Sequence, residues 1–405
     1  MSDLVKPATE PATRAPPSQD PGHEALLFSG GPLQNLAKCL GLRSGKRPFV
    51  RRALITVAVG WLPLVLLTAI WGDFVRTDTA NSFILDFGVH ARFLLAAPLL
   101  VLAEAVCVPR LAAIAWEFLE SGLVSETERS RYDAAVDSSQ RLMNSRIATL
   151  VFIGLAYALV FAVVHASPTD IIPSWHGQLN PFTPSPAGWW GLLISLPLLL
   201  LLQLGWLWRI CIWTRFLWLM NRLPLQLEPA HPDHAGGLGF VGRSLEAFLP
   251  IGFILGLIFA GPVANQVVHR QASPQQFKFV AAGAVIAATL LCAGPLLVFL
   301  YRLLEERYDG ERRYGALALQ VDKRLQRKCV GTGRGTSQET VEMSDFTGTN
   351  AANSIAANAL AMQILPLRLR SIGLMMVTTF LPFVPVWLLS VPFGELAKKM
   401  GTFLL

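Results

Sequence analysis

Charged residues are scarce in this chain of 405 residues: Asp, Glu, Lys and Arg make up 15% of it, whereas a soluble domain carries about 25%. The hydrophobic residues, 53% of the chain, are clustered in runs of about 18–22 with almost no charge, each long enough to cross the hydrocarbon of a bilayer. These features exclude a soluble globular enzyme and a disordered protein. They favour a multi-pass membrane protein.

Cysteine is also scarce. The chain has five Cys residues, no two form a Cys-x-x-Cys pair, and none falls in a segment that the charge distribution assigns to the outer side of the membrane. Disulfides need an oxidising compartment and metal knuckles need close spacing. A disulfide-stapled secreted domain and a cysteine metal site are therefore excluded.

Seven apolar runs predict seven membrane crossings. They are Ala53–Trp71, Phe93–Val108, Ile147–Ala166, Trp189–Trp208, Phe248–Val268, Phe279–Leu300 and Leu374–Val391. Pro109 is expected to end the second crossing. Pro382, Pro385 and Pro392 must break or kink the seventh, so six crossings with a re-entrant last segment are the alternative. The predicted fold class is all-α, a polytopic helical membrane bundle with cytoplasmic helical extensions.

The distribution of Lys and Arg predicts the orientation of the bundle. Segments 33–52, 109–146, 207–246 and 302–370 contain 26 of these residues, whereas the alternate segments 72–92, 167–187, 269–278 and 394–405 contain six. Cytoplasmic loops carry the excess of basic residues, so the first set and the N-terminus are expected in the cytoplasm. The expected partners are the bilayer and its anionic lipids at the cytoplasmic face, and not nucleic acid.

The same patterns divide the chain into four regions. The proline-rich segment 1–32 is expected to be a disordered cytoplasmic tail. Residues 33–301 form a six-span domain with a cytoplasmic helical hairpin at 109–146 and a turn at 223–246. Residues 302–370 form a cytoplasmic helical segment with a flexible linker at 331–353, which is rich in Gly, Ser, Thr and Asn. Residues 371–405 form a proline-broken C-terminal membrane segment.

One apolar stripe runs along the charged helix expected after the sixth crossing. Tyr314, Leu317, Val321 and Leu325 are spaced by three, four and four residues, which places them on one face. A helix this charged does not enter the bilayer, so the stripe must pack on protein. We expect it to form the contact of a homo-oligomer, with packing on the helices of 110–146 as the alternative.

The strongest local motif is HPDHAGGLGFVG at 231–242, just before the fifth crossing. Its candidate gating, ligand or turn residues are His231, Asp233, His234, Gly236, Gly237 and Gly239. The two His and Asp233 could bind a divalent metal ion as a cofactor. A structural turn, with Asp233 accepting backbone N–H bonds and the glycines at positive φ, is favoured over a ligand site. The glycines could also cradle a phosphate, although the segment is not a Walker loop.

Glu104 is the one acid well inside a predicted crossing, and Gln203 adds polarity to the fourth. Buried ionisable groups are expensive in hydrocarbon, so Glu104 and Gln203 are candidates for an ion or solute pathway. The alternative for Glu104 is local pairing with Arg110 or reaching to the nearby interface. For Gln203, and for Asn265 in the fifth crossing, the alternative is hydrogen bonding between helices.

Three segments together resemble a group of uncharacterised bacterial multi-pass membrane proteins. They are HPDHAGGLGFVG before a membrane hairpin, ERRYGALALQVDKRLQRK after it, and the ending FLPFVPVWLLSVPFGELAKKM. The similarity covers roughly residues 50–405. It implies a location in the bacterial inner membrane and carries over no activity and no site residues.

These observations leave three classes of function open. The first is an oligomeric channel or transporter for an ion or small solute. In its sharpest form this is a cation-preferring path with Glu104 at its inner mouth, gated by protonation of the 231–234 turn. The second is a scaffold or sensor that acts through the cytoplasmic helices. The third is a metal-dependent membrane enzyme, for which the 231–234 cluster is the sole positive signal.

The predicted orientation can be tested with single cysteines on a Cys-free background. A cysteine at Asn180 should react with a membrane-impermeant maleimide added to intact cells, because segment 167–187 contains no Lys or Arg. A cysteine at Ser337 should be protected until the membrane is opened. Labelling in the reverse pattern would contradict the orientation.

Overall fold

The structure, a computed structural model, describes residues 30–31, 48–75, 82–166, 174–179, 182–329, 350 and 354–389. Most of these residues are helical, and the strands among them form one two-stranded hairpin. The all-α fold class predicted from the sequence is therefore confirmed.

The main helices are numbered here in chain order. They are α1 (Pro48–Gly60), α2 (Leu62–Ile70), α3 (Phe87–Glu120), α4 (Arg129–Met143), α5 (Arg146–Ala166), α6 (Pro186–Asn221), α7 (Leu249–Arg270), α8 (Lys278–Ala293), α9 (Leu300–Cys329), α10 (Leu369–Phe380) and α11 (Phe383–Leu389). A 3-10 helix over Gly294–Phe299 joins α8 to α9, and β1 (Gly177–Leu179) pairs antiparallel with β2 (Phe182–Pro184).

Six helical segments of the described residues are long and apolar enough to cross a membrane. They are Phe49–Ile70, Phe87–Glu120, Arg146–His165, Pro186–Asn221, Leu249–Arg270 and Pro274–Ala316. Each overlaps one of the first six predicted crossings. Large apolar side chains such as Leu54, Ile147 and Phe279 are exposed on their outer surfaces, which suits contact with lipid and not with water. The chain is a polytopic helical bundle.

The bundle has two ends, which we name by their loops. The basic face carries residues 121–128 and 222–242, and the opposite face carries residues 71–75, 174–179 and 182–184. Successive long helices alternate in direction between these two faces. The charge distribution of the sequence predicts that the basic face is cytoplasmic.

The C-terminal segment follows α7 from the basic face towards the opposite face. Gly252 of α7 lies against Met375 and Thr379, and Gly256, one turn later, lies against Thr379 and Pro382, so the two segments run parallel. Beyond the break at Pro382, one buried cluster joins Phe383 and Val386 of α11 to residues near the end of α7, among them Val263 and Val267. The C-terminal segment thus follows α7 as two short helices, and neither of them is among the six segments of the described residues that are long enough to cross a membrane.

The helix does not end at Pro109, because α3 continues through this residue to Glu120. Proline removes one helical hydrogen bond, but packing on both sides of it outweighs that loss. Beyond Pro109 the side chains of Leu111, Ile114, Ala115 and Phe118 are buried. The hairpin predicted at 109–146 consists of this end of α3 and of α4, and the Tyr132 hydroxyl of α4 donates to the Ala115 carbonyl oxygen at 2.8 Å.

Two of the long helices open with π-helical turns near the opposite face. One covers His90–Ala96 in α3 and the other covers Gly191–Ser195 in α6. Pro98 and Pro197 each follow these turns after one intervening residue, and each proline lacks the N–H that would bond to the carbonyl four residues earlier. A wider turn before the proline accommodates this loss, and π-turns occur frequently at functional sites.

Several predicted regions lie largely outside the described residues. Of the predicted tail at 1–32, Gly30 and Gly31 are described and buried, so the end of that segment packs on the bundle. Of the predicted linker at 331–353, residue 350 alone is described. Along the predicted stripe, α9 is helical to Cys329, but the side chains of Leu317, Val321 and Leu325 lie outside the described part of the chain.

The packing of the C-terminal segment can be tested at Gly256. A Cβ at this position would overlap the Thr379 carbonyl oxygen, so Gly256→Ala must push α10 away from α7. We expect a loss of roughly 1–3 kcal/mol, the usual cost of overpacking. Thermal unfolding in mild detergent measures it. The matched control is Gly283→Ala in α8, where a Cβ meets no atom within 4 Å, and equal melting temperatures for the two variants would contradict the packing.

Candidate functional site

A buried ion triad lies inside the bundle where α1, α3 and α6 meet. The carboxylate of Glu104 accepts from Arg52 Nη2 at 2.8 Å through Oε2 and from Arg209 Nη2 at 2.7 Å through Oε1. The side chains of Glu104 and Arg209 are 3% and 4% exposed, and that of Arg52 is 12% exposed. Arg209 also donates to the Gly30 carbonyl oxygen at 2.9 Å. Both oxygens of the one acid predicted inside a crossing are thus occupied by arginines.

The partners of Glu104 differ from those expected. Arg110, the local partner considered from the sequence, is exposed on α3. The two arginines come from distant parts of the chain, and together with one carboxylate they leave the triad one positive charge in excess. Breaking a buried ion pair by removing one partner typically costs about 3–5 kcal/mol, because it leaves an uncompensated charge. The triad therefore fixes three helices relative to one another.

Aromatic side chains complete the surroundings of the triad on α6. The guanidinium of Arg209 lies over the ring of Trp206, 4.9 Å from its centroid. The Trp206 indole N–H donates to the Leu100 carbonyl oxygen of α3 at 2.9 Å. Gln203, the other pathway candidate, lies about one turn before Trp206 on α6. It is half-buried and is not part of the triad.

Asp233 organises the turn at 231–242. Its Oδ1 accepts from the backbone N–H groups of Ala235 at 2.9 Å and Gly237 at 3.1 Å, and its Oδ2 accepts from that of Gly239 at 2.8 Å. His231 Nδ1 lies 2.8 Å from Oδ1. One carboxylate therefore holds the whole turn, which is the structural alternative considered for this motif.

Backbone conformation explains the other residues of the motif. Gly236 has φ +65° and Gly237 has φ +93°, a region that favours glycine. His234 adopts φ 54° and its carbonyl oxygen accepts from the Gln363 N–H at 2.6 Å, which ties the turn to the segment before α10. The ring of His234 has a buried Nδ1 for which the described residues provide no hydrogen-bond partner.

This arrangement bears on two of the ligands considered for the turn. The N–H groups of Gly237 and Gly239 already donate to Asp233, so they do not form a phosphate cradle. Among the described residues, no three His, Cys, Asp or Glu side chains are grouped so that they could hold a metal ion. The geometry thus gives the divalent metal hypothesis for His231, Asp233 and His234 no support.

A cleft of about 560 Å³ opens at the basic face beside this turn. Charged and titratable side chains of both signs line it: Glu117, Glu228, His231, Asp233, Arg243 and Arg368. Two contacts bind its walls together, since Arg243 pairs with Glu117 at the end of α3 and the Tyr314 hydroxyl donates to Glu228. The volume and the mixed lining fit a small polar ligand.

The pKa of Asp233 lies below its usual range. Burial raises it, but hydrogen bonds from three backbone N–H groups and from His231 outweigh that effect. Asp233 therefore stays ionised well into the acid range, and its contribution to stability is lost as the pH falls below about 4. The turn itself does not titrate between pH 5.5 and 7.5 through this group.

A second buried polar cluster, not found from the sequence, lies near the opposite face at the start of α3. Asp86 is 5% exposed. Its Oδ1 accepts from the Val89 N–H at 3.0 Å and from Asn265 Nδ2 at 2.8 Å, and its Oδ2 accepts from the Trp175 indole N–H at 3.1 Å. Asn265 thus makes the hydrogen bond between helices that was considered for it. The cluster joins α3, α7 and the loop at 174–176.

Arg92 brings a positive charge to the same place. A Cβ on Gly88 would lie 3.0 Å from Arg92 Nη2, 3.2 Å from Asn265 Nδ2 and 3.2 Å from Asp86 Oδ1, so these three side chains converge above the glycine. His176, in the loop, stacks on Trp175 with ring centroids 3.6 Å apart. A signal for this cluster is present in the sequence, because the charged residues Asp86 and Arg92 lie at the edge of an apolar run. Both fall in segment 72–92, which the charge distribution assigns to the outer side.

His176 is held neutral in this cluster. Its pKa is lowered to about 4, because burial and, to a smaller extent, the positive charge of Arg92 outweigh the opposing effect of Asp86. A neutral imidazole next to a carboxylate and a guanidinium leaves the cluster without excess charge at neutral pH. In its net charge this cluster at the start of α3 differs from the triad, which has one positive charge in excess.

No protein-family model matches the chain, and no curated protein and no solved structure matches it. The resemblance to bacterial multi-pass membrane proteins stays an expectation from the sequence. The site must therefore be interpreted from its own geometry.

The state of His176 predicts an acid-sensitive fold. The unfolded chain takes up a proton on this residue near pH 6.5 and the folded chain near pH 4, so unfolding binds one more proton in that window and stability must fall as the pH drops through it. We expect His176→Gln to flatten the fall in melting temperature of the detergent-solubilised protein between pH 6.5 and 4. His165→Gln, at an exposed histidine, is the matched control, and equal slopes for the two variants would contradict the assignment.

Proposed function

We propose that this protein is a channel or transporter that passes an ion or small solute through its helical bundle, with α3 lining the route. The observation that carries the proposal is the presence of charged groups at two levels of this one helix, the cluster around Asp86 at its start and the triad at its middle. Arg92 and Glu104 are 12 residues apart, which corresponds to about 18 Å along a helix. That distance is more than half the thickness of the hydrocarbon layer, ~30 Å.

The energetics of buried charge support transport over a purely structural role. Burying an ion costs several kcal/mol, and well-packed apolar residues stabilise a bundle equally well or better. Ionisable groups inside membrane segments typically mark the paths of ions and substrates. A scaffold needs neither the triad nor the cluster around Asp86, whereas a transporter needs polar groups where a solute leaves water.

The conformation described here is a closed one. Between the two charged levels, α3 buries Phe93, Ala96, Ala97, Leu100 and Val101, all of them apolar. Passage therefore requires this stretch to separate from its neighbours. The π-turn at the start of α3 and the matching turn of α6 are places where such a rearrangement breaks few hydrogen bonds.

Charge at the triad favours an anion or a polar neutral solute over a cation. Both carboxylate oxygens of Glu104 are held by arginines, and the excess charge of the triad is positive. The cation-preferring path expected from the sequence relied on a free carboxylate at the inner mouth. It also placed the 231–234 turn beside Glu104, whereas Glu117, the α3 residue that lines the cleft of the turn, lies 13 residues or about 20 Å further along.

The cleft at the basic face favours a second candidate, a sensor that acts through its cytoplasmic helix. The contact between Glu228 and Tyr314 links the cleft to α9, so a bound ligand could reposition that helix. Both candidate functions are compatible with a homo-oligomer that forms through the apolar stripe starting at Tyr314. We place the protein in the bacterial inner membrane with its N-terminus in the cytoplasm in either case.

Reconstitution in liposomes tests the proposal. The wild-type protein should pass small anions, for example iodide or nitrate, faster than potassium under an imposed voltage. Glu104→Gln leaves two arginines uncompensated and should increase the preference for anions. The matched control is Glu120→Gln at the exposed end of the same helix, which should behave as wild type. Monodisperse elution of each variant in detergent controls for folding.

Two results would decide against this function. If the folded protein passes no ion and no small solute under any voltage or pH gradient, the transport proposal fails and the sensor takes its place. If Glu104→Gln and Glu120→Gln have the same selectivity as wild type, the triad is not part of the route.

A further inference from the structure

An apolar groove of about 610 Å³ runs along the outer surface of the bundle between α8 and the C-terminal helices α10 and α11. Its lining from α8 includes Lys278, Ala282 and Ile286, and its lining from the C-terminal helices includes Met376, Phe380 and Trp387. Among the described residues that line it, Lys278 alone carries a charge. Small alanines on α8 face bulky side chains on the other wall, which produces the concave shape.

The directions of the helices place the two ends of the groove at different depths. α10 and α11 run parallel to α7, and α8 runs back from α7 through a short loop at 271–277, so α8 and the C-terminal helices are antiparallel. Lys278, at the start of α8, therefore lies at the same level as Trp387, near the end of α11. Ile286 and Met376 lie deeper, about 12 Å or more from that level along their helices.

This polarity matches a lipid molecule. Lys278 and Trp387 lie where a headgroup meets the apolar layer, the position that basic and indole side chains prefer in membrane proteins. The rest of the groove offers apolar surface to a chain that runs inwards. Lipid tails surround this surface in a membrane. A flexible acyl chain that fills the concave wall gains van der Waals contacts with it.

We propose that the groove binds a phospholipid with an anionic headgroup, with one acyl chain between α8 and α10 and the headgroup phosphate beside Lys278. The ammonium of Lys278 lies over the Phe279 ring, 5.1 Å from its centroid, which holds the charge at the mouth of the groove. A helix of a second copy is a poorer occupant, because the apolar part of each candidate span holds at most two charged residues, which leaves little that could pair with the ammonium. This site is independent of the proposed function.

Lipid binding to the full-length protein tests the proposal. The protein is purified in mild detergent, stripped of lipid and titrated with phosphatidylglycerol or phosphatidylcholine, and bound lipid is counted by native mass spectrometry. Wild type should bind phosphatidylglycerol more tightly than phosphatidylcholine. Lys278→Gln should weaken phosphatidylglycerol binding about fivefold, the effect of one basic residue near an anionic surface, and leave phosphatidylcholine binding unchanged.

A second variant tests the groove apart from its charge. Ala282→Leu places a larger side chain on the lining and should reduce the binding of both lipids. Ala287→Leu adds the same side chain on the exposed surface of α8 outside the lining, and it should bind both as wild type does. Lys323→Gln, at an exposed position of α9, controls for the loss of one charge.

Three outcomes would overturn the proposal. The first is equal binding by Ala282→Leu and Ala287→Leu, which would place the lipid elsewhere. The second is no lipid on wild type but one lipid after removal of residues 392–405, which would show that the end of the chain itself fills the groove. The third is a lipid-free dimer by mass that Ala282→Leu dissociates, which would make a second copy the occupant.

Discussion

The carboxylate of Glu104 holds three membrane helices at one point, and much of the bundle depends on it. Arg52 of α1 and Arg209 of α6 bind its two different oxygens, and Arg209 also donates to the Gly30 carbonyl oxygen, which holds Gly30 on the bundle. In an apolar interior no water can replace a lost partner, so these three side chains must stay together or leave a bare charge in hydrocarbon.

Helix α3 connects the three polar sites described above. It begins at the cluster around Asp86, carries Glu104 in its middle, and ends with Glu117 in the wall of the cleft. Two prolines lie within it: Pro98 follows a π-turn, whereas the helix continues through Pro109 without a break. A movement of this one helix would thus change contacts near both faces of the bundle, at the cluster around Asp86 and at the cleft. Both the transporter and the sensor proposed above require such a connection.

The turn at 231–242 and the triad illustrate two uses of a carboxylate. Asp233 accepts backbone N–H groups in a position open to water and keeps a loop in one conformation. Glu104 accepts guanidinium groups in the buried interior and keeps helices together. Neither carboxylate is free to attract a cation, because hydrogen-bond donors occupy the oxygens of both.

The sequence by itself determined the all-α class, the positions of six spans and the break in the C-terminal segment, because hydrophobic length and proline act locally. It also identified Glu104 and Asp233 as unusual. Only the tertiary structure decided their partners: Arg52 and Arg209 are 52 and 105 residues from Glu104, and Trp175 and Asn265 are 89 and 179 residues from Asp86. Such pairs leave no periodic signal in the chain, since helix packing alone brings them together.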